Sequence, residues 1–379
     1  MTRSLDDFAT AKLAALEAGS LRRRVRQVAR GVGAVAVRDG VGLISFSCND
    51  YLNLSQHPAV IEAAVAATRR YGVGAGASRL VTGDHPLYRG LEARLAALKG
   101  TADAVVFGSG YLANIGIIPA LVGAGDAVFV DELAHACIWA GARLSGAAVV
   151  RFGHNDVGDL RRVMAGCGFR RAIVATDGVF SMDGDVAPID ALAVVAAEAG
   201  AWLMSDDAHG IGVLDGGRGS PHDGVSLRMG TLSKAVGGYG GYLCASVPVC
   251  ELIRNRARSF VYTTGLPPGV VAAAAAALDV MAGDAELCAR PVRLARMFTG
   301  AVGLPEAASP IVPLVLGGAE AALAGQAELE AAGFLVAAIR PPTVPEGTAR
   351  LRFAFSAAHR EADVMRLAEV VRERVMGVA

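Results

Sequence analysis

The sequence has 379 residues, with 36 basic and 36 acidic side chains and therefore a formal net charge of zero. This length is sufficient for one large α/β domain and a smaller one, and charge neutrality gives no reason to expect nucleic acid or an anionic membrane surface as a partner. Although 53% of the residues are hydrophobic, the longest apolar run covers residues 270–278 and is too short to cross a bilayer.

The N-terminal segment and the cysteines indicate a cellular compartment. Asp6, Asp7 and Glu17 lie where a signal peptide would have its apolar region, so no signal peptide is predicted. The six cysteines are scattered without a C-x-x-C pair, which is typical of reduced thiols in a cytosolic protein, and no zinc-binding pattern is visible. We therefore expect a cytoplasmic protein that binds no metal.

Short apolar strands alternate with alanine-rich helices in the middle of the chain. The predicted strands span residues 104–107, 127–131, 147–152, 172–176, 202–206 and 225–229. The predicted helices between them span residues 111–122, 134–144, 157–165 and 189–199. Because most of these strands are apolar throughout, helices should cover both faces of a mostly parallel sheet.

The pattern changes near residue 287. Strands are predicted at 311–316, 334–339 and 350–355, and helices at 319–332 and 361–376. We interpret residues 46–286 as a large domain and residues 287–379 as a small α+β domain. Residues 1–45 lack an apolar core of their own and should pack on the small domain.

The first candidate site is the turn between the strand ending at Phe107 and the following helix. Its glycines, Gly108 and Gly110, place backbone N–H groups and the positive end of a helix where a phosphate can bind. The stretch also fits the dinucleotide pattern G-x-G-x-x-A, and Asp131 ends the next strand about twenty residues on, as that pattern requires. This motif alone leaves a nicotinamide enzyme, another phosphate-binding enzyme and a structural turn open.

Two further strand ends carry charged residues. Asp206 ends the strand 202–206, and Asp207 and His209 follow it. A carboxylate there could bind magnesium, cap a helix or hold a protonated ring nitrogen. Lys234 follows the strand 225–229 among small and apolar residues, where partial desolvation would make it a usable Schiff-base amine. A phosphate-binding helix start, a strand-end aspartate and then a lysine favour a pyridoxal-phosphate site, because the nicotinamide interpretation leaves the aspartate and the lysine without a role.

The sequence resembles the α-oxoamine synthase family of fold-type I pyridoxal-phosphate enzymes. The resemblance runs from Phe46 to Arg352 and beyond, and it is carried by residues 46–52, 74–79, 109–111, 131–136, 177–185, 206–220 and 230–234. It implies an α/β transferase whose large domain contains a mostly parallel, seven-stranded sheet flanked by helices, with a small α+β C-terminal domain. It also implies pyridoxal 5′-phosphate (PLP) as the cofactor.

The resemblance assigns roles to individual residues. Lys234 would carry the cofactor as an internal aldimine and later move the α-proton of the substrate. Asp206 would pair with the pyridinium nitrogen and His209 would contact the phenolic oxygen of the ring, while His135 would stack on its face. The remaining cofactor shell would consist of Gly110, Tyr111, Ser181 and Thr231. From the residues alone, His135 could also be a helix-face histidine and Ser181 a turn residue.

The resemblance further implies a homodimer with shared active sites. Thr263 and Thr264 match a segment that reaches the phosphate of the neighbouring subunit. From the residues alone, both could instead be ordinary strand threonines.

Members of the family condense an amino acid with an acyl-CoA and release carbon dioxide. The last third of the chain resembles the branch that joins L-alanine to pimeloyl-CoA, or to a pimeloyl-carrier protein, in biotin biosynthesis. The match makes Arg352 the fork for the amino acid carboxylate, and it places Thr343 and Asn49 on the substrate side. Arg22, in the arginine cluster 22–24, is the choice for the acyl side, although such a cluster is usually a solvated helix face.

Alternatives stay open at this point. The lysine segment 230–237 also resembles glycine-using branches of the family, and residues 353–356 depart from the threonine-rich ending of the biotin branch. Glycine C-acetyltransferase and 5-aminolevulinate synthase activities are therefore alternatives. An oxidoreductase that binds a nicotinamide cofactor at residues 108–110 is the alternative from another class. A non-catalytic partner subunit is disfavoured, because Lys234 and Asp206 are both present.

Overall fold

The computed structural model describes residues 4–31, 33–221 and 223–377. Residues 1–3 and 378–379, which belong to the predicted terminal segments, lie outside the described residues. The chain divides into two compact units, here called the central unit (residues 49–293) and the terminal unit (residues up to 48 and from 294 onward). The domain borders predicted after residues 45 and 286 lie near this division and stay a prediction.

The strands and helices predicted between residues 104 and 229 all have counterparts in the structure. The strands, in chain order, are β1 (Ala29–Arg30), β2 (Val35–Arg38), β3 (Val41–Ser45), β4 (Asp103–Phe107), β5 (Ala127–Asp131), β6 (Ala148–Phe152), β7 (Ala172–Asp177), β8 (Trp202–Asp206), β9 (Val225–Thr231), β10 (Gly241–Ala245), β11 (Ile311–Gly317), β12 (Phe334–Leu335), β13 (Ala337–Ile339) and β14 (Ala349–Ala354). The α-helices are α1 (Leu5–Ala18), α2 (Pro58–Tyr71), α3 (Leu87–Lys99), α4 (Gly110–Leu121), α5 (Ala136–Ser145), α6 (Val157–Ala165), α7 (Ile189–Glu198), α8 (Val247–Arg256), α9 (Arg258–Val261), α10 (Pro268–Gly283), α11 (Ala285–Val302), α12 (Ala319–Ala331) and α13 (Glu361–Val370). None of the helices in the described ranges combines the length and the apolar character needed to cross a membrane.

The central unit is built on a seven-stranded sheet with the order β4-β10-β9-β8-β7-β5-β6. Neighbouring strands from β9 to β6 are parallel, whereas β10 is antiparallel to both β4 and β9. The mostly parallel sheet is therefore confirmed, and β10 is the strand that the sequence pattern did not predict. Since every strand except β10 runs in one direction, the carboxyl ends of six strands meet at one edge of the sheet.

Both faces of this sheet are covered, as the uniformly apolar strands predict. Val128 and Val130 of β5 pack in a buried cluster with residues of α4 and α5. Phe129, which points to the opposite face, packs in a second cluster with residues of α6 and α7. The hydrophobic effect therefore holds the sheet from both sides and leaves only its edges for polar chemistry.

The terminal unit contains two smaller sheets, β1-β2-β3-β12 and β11-β14-β13. The prediction of one strand over residues 334–339 is wrong. β12 pairs in parallel with β3, while β13 pairs with β14 in the other sheet, and the buried Val336 between them anchors the change of sheet in the core. The helix predicted over residues 361–376 is α13 followed by a π-helical turn (Val371–Val375).

Candidate active site

The turn between β4 and α4 has the geometry of an anion site. Ser109 caps α4, and its hydroxyl accepts a hydrogen bond from the Leu112 N–H at 3.1 Å. Because the helix begins at Gly110, the backbone N–H groups of its first turn have no partner within the helix. Tyr111 lies in that turn and is 50% exposed. The turn can therefore offer N–H donors and a tyrosine to a phosphate-sized anion.

Thr231 lies beside this turn, as the phosphate-site prediction requires. A Cβ atom built on Gly110 would be 3.5 Å from the Cβ of Thr231. The Thr231 Oγ1 lies 2.7 Å from the Ser233 Oγ and donates to the Gly240 carbonyl at 2.8 Å. The end of β9 therefore brings two hydroxyl groups close to the start of α4.

Thr263 and Thr264, which were predicted to reach the phosphate of a neighbouring subunit, differ in their surroundings. Thr263 is half-buried, and its Cγ2 would be 3.9 Å from a Cβ built on Gly108. Thr264 is exposed and forms an isolated antiparallel bridge with Ser78. Thr263 thus belongs to the surroundings of the anion site, and the sharing of sites between subunits stays a prediction.

Asp206 ends β8 and is almost fully buried, with 3% of its surface exposed. Its Oδ1 accepts a hydrogen bond from the Ala208 N–H at 3.0 Å, and its Oδ2 accepts one from the Asn114 Nδ2 at 2.7 Å. Each carboxylate oxygen has two lone-pair positions, so the group can accept from a further donor. The arrangement suits a protonated ring nitrogen. Sequence reasoning missed Asn114, although a polar residue in an otherwise apolar helix was a usable signal.

Lys234 and His209 lie together in a chain of polar contacts. The Lys234 Nζ is 2.7 Å from the His209 Nε2, and the His209 Nδ1 is 2.6 Å from the Tyr51 hydroxyl. That hydroxyl is also 3.3 Å from the Asn49 Oδ1. This series of polar contacts therefore connects Asn49, which was predicted on the substrate side, with Lys234, which was predicted to carry the cofactor. Tyr51 is fully buried and was given no role from the sequence, although it lies in the family-like stretch 46–52.

His135 caps α5 and faces the same group of charges. Its backbone N–H donates to the Asp177 Oδ2 at 2.7 Å, and its Nδ1 is 2.8 Å from the Cys137 Sγ. Although the residue keeps an exposed surface, the protein atoms packed around the ring lower its pKa; the Asp206 charge opposes this and the Lys234 charge adds to it. The imidazole is therefore neutral near pH 7 and accessible on its surface. Burial also raises the pKa of the Asp177 carboxyl well above its usual range.

The loop that carries His209 is fixed by a buried ion pair. The Asp207 Oδ1 accepts hydrogen bonds from the Ser220 N–H at 3.0 Å and from the Ser220 Oγ at 2.7 Å. Its Oδ2 forms an ion pair with Lys99, the fully buried last residue of α3. A buried and hydrogen-bonded pair of this kind positions backbone segments more than it stabilises the fold. Nothing in the sequence connected Lys99 with Asp207.

A histidine also holds the turn that contains Ser181. The His154 Nδ1 is 3.1 Å from the Asp131 Oδ1, and its Nε2 is 2.8 Å from the Asp185 Oδ2. Burial lowers the pKa of His154, but the hydrogen bonds with the two carboxylates prevail and raise it to about 10. The imidazolium therefore ties the end of β5 to the segment after β7, where Ser181 lies half-buried in a turn.

In the terminal unit, Arg352 lies in the middle strand of a three-stranded sheet. β14 is flanked by β11 and β13, and Arg352 is 4% exposed. Leu351 and Phe353 pack in the core of the unit, which confirms the predicted alternation of apolar and basic residues along the strand.

The arginine cluster predicted for the acyl side is divided between two partners. The Arg22 guanidinium pairs with Glu17 at 3.1 Å. The Arg23 guanidinium instead donates to the Thr343 hydroxyl at 2.8 Å. Arg23 therefore contacts Thr343, which was assigned to the substrate side, and the choice of Arg22 for the acyl side stays a prediction.

Comparison with known proteins identifies the family. Residues 41–371 match the family described as aminotransferase class I and II. The chain belongs to this family. The matched range includes both the turn between β4 and α4 and Lys234. The family assignment therefore disfavours the nicotinamide alternative.

Named relatives are similar over their full length. The 8-amino-7-oxononanoate synthase of Granulibacter bethesdensis is 59% identical over 378 residues, which cover 98% of each chain. The enzyme of the same name from Methylobacterium radiotolerans is 61% identical over 370 residues, covering 97% of this chain and 98% of the relative. A solved structure of an alanine variant of serine palmitoyltransferase from S. paucimobilis, with a bound PLP–myriocin aldimine, has a TM-score of 0.91 at 30% identity and covers 99% of this chain and 100% of its own. These matches confirm the predicted fold and the resemblance from which it came.

Proposed function

We propose that this chain catalyses the reaction named in its relatives, the decarboxylative condensation of L-alanine with pimeloyl-CoA or a pimeloyl-carrier protein. The products are 8-amino-7-oxononanoate, carbon dioxide and free CoA or carrier protein, and the pathway is biotin biosynthesis. The observation that carries the proposal is the full-length identity of 59% and 61% to two synthases of that name. We propose further that the protein is cytoplasmic and works as a homodimer.

The residues of the central unit fit PLP as the cofactor. A capped helix start beside Thr231 suits a phosphate group, and the buried Asp206 suits a protonated pyridine nitrogen. Lys234 provides an amine that lies 2.7 Å from a histidine nitrogen. When bound, PLP would supply an electron sink for negative charge at the α-carbon of the substrate.

The chain supplies the acid–base chemistry at that carbon. Lys234 would hold the cofactor covalently and would move the α-proton of the amino acid. His209, which lies between Lys234 and Tyr51, would form a hydrogen bond with the Lys234 amine and so orient it. Asp206 would keep a positive charge on the ring edge, because solvent screens the charge of its buried carboxylate only weakly.

Other residues would cover the face of the cofactor and bind the two substrates. The neutral, accessible ring of His135 would pack on the face of the cofactor and exclude water from it. Arg352 would bind the carboxylate of the amino acid, since a guanidinium can donate two parallel hydrogen bonds. Thr343 and the arginines of the cluster 22–24 would face the acyl thioester, and Asn49 would lie on the substrate side.

A substrate panel tests the proposal. L-alanine, glycine and L-serine are each offered with pimeloyl-, acetyl-, succinyl- and palmitoyl-CoA, and free thiol is followed. We expect thiol release above the control only with L-alanine and pimeloyl-CoA, together with the expected aminoketone by mass spectrometry. Turnover only with glycine, or only with serine and palmitoyl-CoA, would replace the substrate assignment while keeping the reaction class.

A second measurement tests the cofactor. Protein purified with PLP should be yellow and should lose the colour on borohydride treatment, with the reduced cofactor attached to Lys234 in peptide mass spectra. A colourless protein that binds a nicotinamide nucleotide would contradict the proposal.

A further inference from the structure

Two buried polar residues connect the groups proposed to hold the cofactor ring. Asn114 on α4 is fully buried, and Cys137 in the first turn of α5 is 3% exposed. The Asn114 Nδ2 is 2.7 Å from the Asp206 Oδ2 and 2.9 Å from the Cys137 Sγ. The Cys137 Sγ is in turn 2.8 Å from the His135 Nδ1. A continuous chain of hydrogen bonds therefore runs from Asp206 through Asn114 and Cys137 to His135.

We infer that Asn114 and Cys137 are positioning residues for the proposed reaction: Asn114 orients the Asp206 carboxylate, and Cys137 sets the tautomer of His135. This inference rests on the proposed function, because a bound pyridine ring would meet Asp206 at its nitrogen and His135 at its face. Asn114 and Cys137 act through these two side chains and not on the ring itself.

The orientation of the Asn114 amide follows from its neighbours. An ionised carboxylate only accepts hydrogen bonds, so the NH₂ group must point to Asp206, and its second hydrogen then points to the Cys137 sulfur. The amide oxygen has no hydrogen-bond partner among the described residues. A buried polar atom without a partner is unfavourable for folding, so the stability of the core does not account for an asparagine here. The two N–H donors of the Asn114 amide, which bind Asp206 and Cys137, account for an asparagine at this position.

The proton position on His135 follows in the same way. Burial raises the pKa of the Cys137 thiol to about 12, so the sulfur keeps its proton at neutral pH. Since Asn114 donates to the sulfur, the S–H is directed at the His135 Nδ1, to which the Cys137 backbone N–H also donates at 3.3 Å. An Nδ1 that accepts from both groups carries no proton of its own. The neutral imidazole therefore holds its proton on Nε2.

A close approach of two helices makes this chain possible. A Cβ atom on Gly141 of α5 would lie 2.5 Å from the backbone oxygen of Asn114 on α4. Any larger residue would push the helices apart and separate Cys137 from Asn114. The contact thus depends on glycine at this position, and it fixes the distance between the residues that bridge Asp206 and His135.

The test compares Cys137→Ala, Cys137→Ser and Asn114→Leu with wild-type protein, all reconstituted with PLP. Cys250→Ala is the matched control, because Cys250 is also fully buried and lies on α8, outside the proposed site. Four quantities are measured: kcat, the KM for each substrate, the dissociation constant of PLP and the midpoint of thermal unfolding. Histidine-labelled holoenzyme, with His135→Gln for assignment, gives the tautomer of His135 by ¹⁵N NMR.

We expect Cys137→Ala to lower kcat about tenfold without raising the KM for the acyl thioester, since one hydrogen bond to the imidazole is lost. Cys137→Ser should recover kcat to within about threefold, because a hydroxyl can replace both hydrogen bonds of the thiol. Asn114→Leu should lower kcat about 30-fold and weaken PLP binding, as expected for a lost hydrogen bond to a charged group. In wild-type protein the Nδ1 signal should be that of an unprotonated nitrogen.

The inference is wrong if Cys137→Ala behaves like Cys250→Ala in kcat, or if the Nδ1 of His135 is protonated in the neutral ring. Should Asn114→Leu fail to fold, Asn114→Ala, which also removes both N–H donors, takes its place, and unchanged kcat and PLP binding in that variant would refute the role of Asn114. A wild-type protein that neither binds PLP nor releases thiol would instead overturn the proposed function. The two failures are therefore distinguishable.

Discussion

The central and terminal units hold their candidate site residues in different ways. In the central unit, Asp206 is held by Asn114 and His209 by Tyr51, so residues far apart in the sequence fix each other through side chains. In the terminal unit, Arg352 lies inside β14, and its backbone pairs with β11 on one side and with β13 on the other. Under the proposed function, Lys234 and Asp206 carry the chemistry, whereas Arg352 binds the amino acid. Substitution of Lys234 or Asp206 should therefore change kcat, and substitution of Arg352 should change KM.

The largest expected effect tests the central side of this comparison. Replacing Lys234 with alanine removes both the proposed attachment point of the cofactor and the proposed base, so kcat should fall by about 10⁴-fold or more. Thiol release and the borohydride-reducible colour are the measurements, and an unchanged circular dichroism spectrum is the control for folding. Activity within tenfold of wild type would remove Lys234 from the proposed role.

The next effect tests the terminal side. Arg352→Lys keeps the charge but loses the two-pronged donor, so the KM for the amino acid should rise about 100-fold. The visible spectrum of the bound cofactor should not change. Arg350→Lys is the matched control, because Arg350 is equally buried on the same strand and its Nε donates to the Thr348 carbonyl.

An Arg352→Lys variant with an unchanged KM and a large loss in kcat would contradict the proposed division of roles between Lys234 and Arg352. Equal effects at Arg350 and Arg352 would show that burial in the strand, and not substrate binding, explains the loss.

A smaller effect concerns stability. The pKa of His154 rises from 6.5 to about 10 on folding, so its contribution is complete below pH 6.5 and is lost as the pH rises towards 10. We expect His154→Gln to lower the free energy of unfolding by about 2 kcal/mol at pH 6, since one hydrogen-bonded charge between two carboxylates is lost. Urea unfolding at pH 6 and at pH 10 measures the difference, which should shrink at the higher pH. Arg161→Gln, which breaks an exposed pair with Glu198, is the control and should cost about 0.5 kcal/mol or less.

The contrary outcome is a difference in the free energy of unfolding between wild type and His154→Gln that is the same at pH 6 and at pH 10. That result would mean that His154 stabilises the protein through packing on Phe180 and not through its charge. The two rings lie 4.3 Å apart in a T-shaped arrangement, so this alternative has a structural basis.

Most of the central sheet could be predicted from the sequence, because its strands are short apolar runs bounded by polar residues and glycine. β10 could not be predicted in this way. It follows a glycine-rich loop and is as fully buried as the parallel strands of the sheet, so periodicity carries no information about its direction. The broken strand at Val336 was missed for a similar reason, since an apolar residue that joins two sheets looks like one that continues a strand.

The candidate site was predictable where its residues follow strand ends. Asp206, Lys234 and the turn before α4 belong to that group. The supporting residues Asn114, Cys137 and Lys99 were not predictable, because each acquires its partner only through the tertiary fold. The Asn114–Asp206 contact, for example, joins residues 92 positions apart in the sequence. A local pattern can identify a polar residue in an apolar helix, but it cannot name the partner.

The position of β10 has a consequence for the order in which the protein folds. β4 leads into the anion-binding turn, yet it joins the sheet only through β10, which is made more than 130 residues later in the chain. A nascent chain that ends before Gly241 can therefore form the part of the sheet that runs from β9 through β8, β7 and β5 to β6. At that stage β4 still has no neighbour in the sheet. Contacts of such long range form late and slowly. The proposed phosphate-binding half of the site should accordingly be the last part to assemble during synthesis, and PLP binding should report completion of the central sheet.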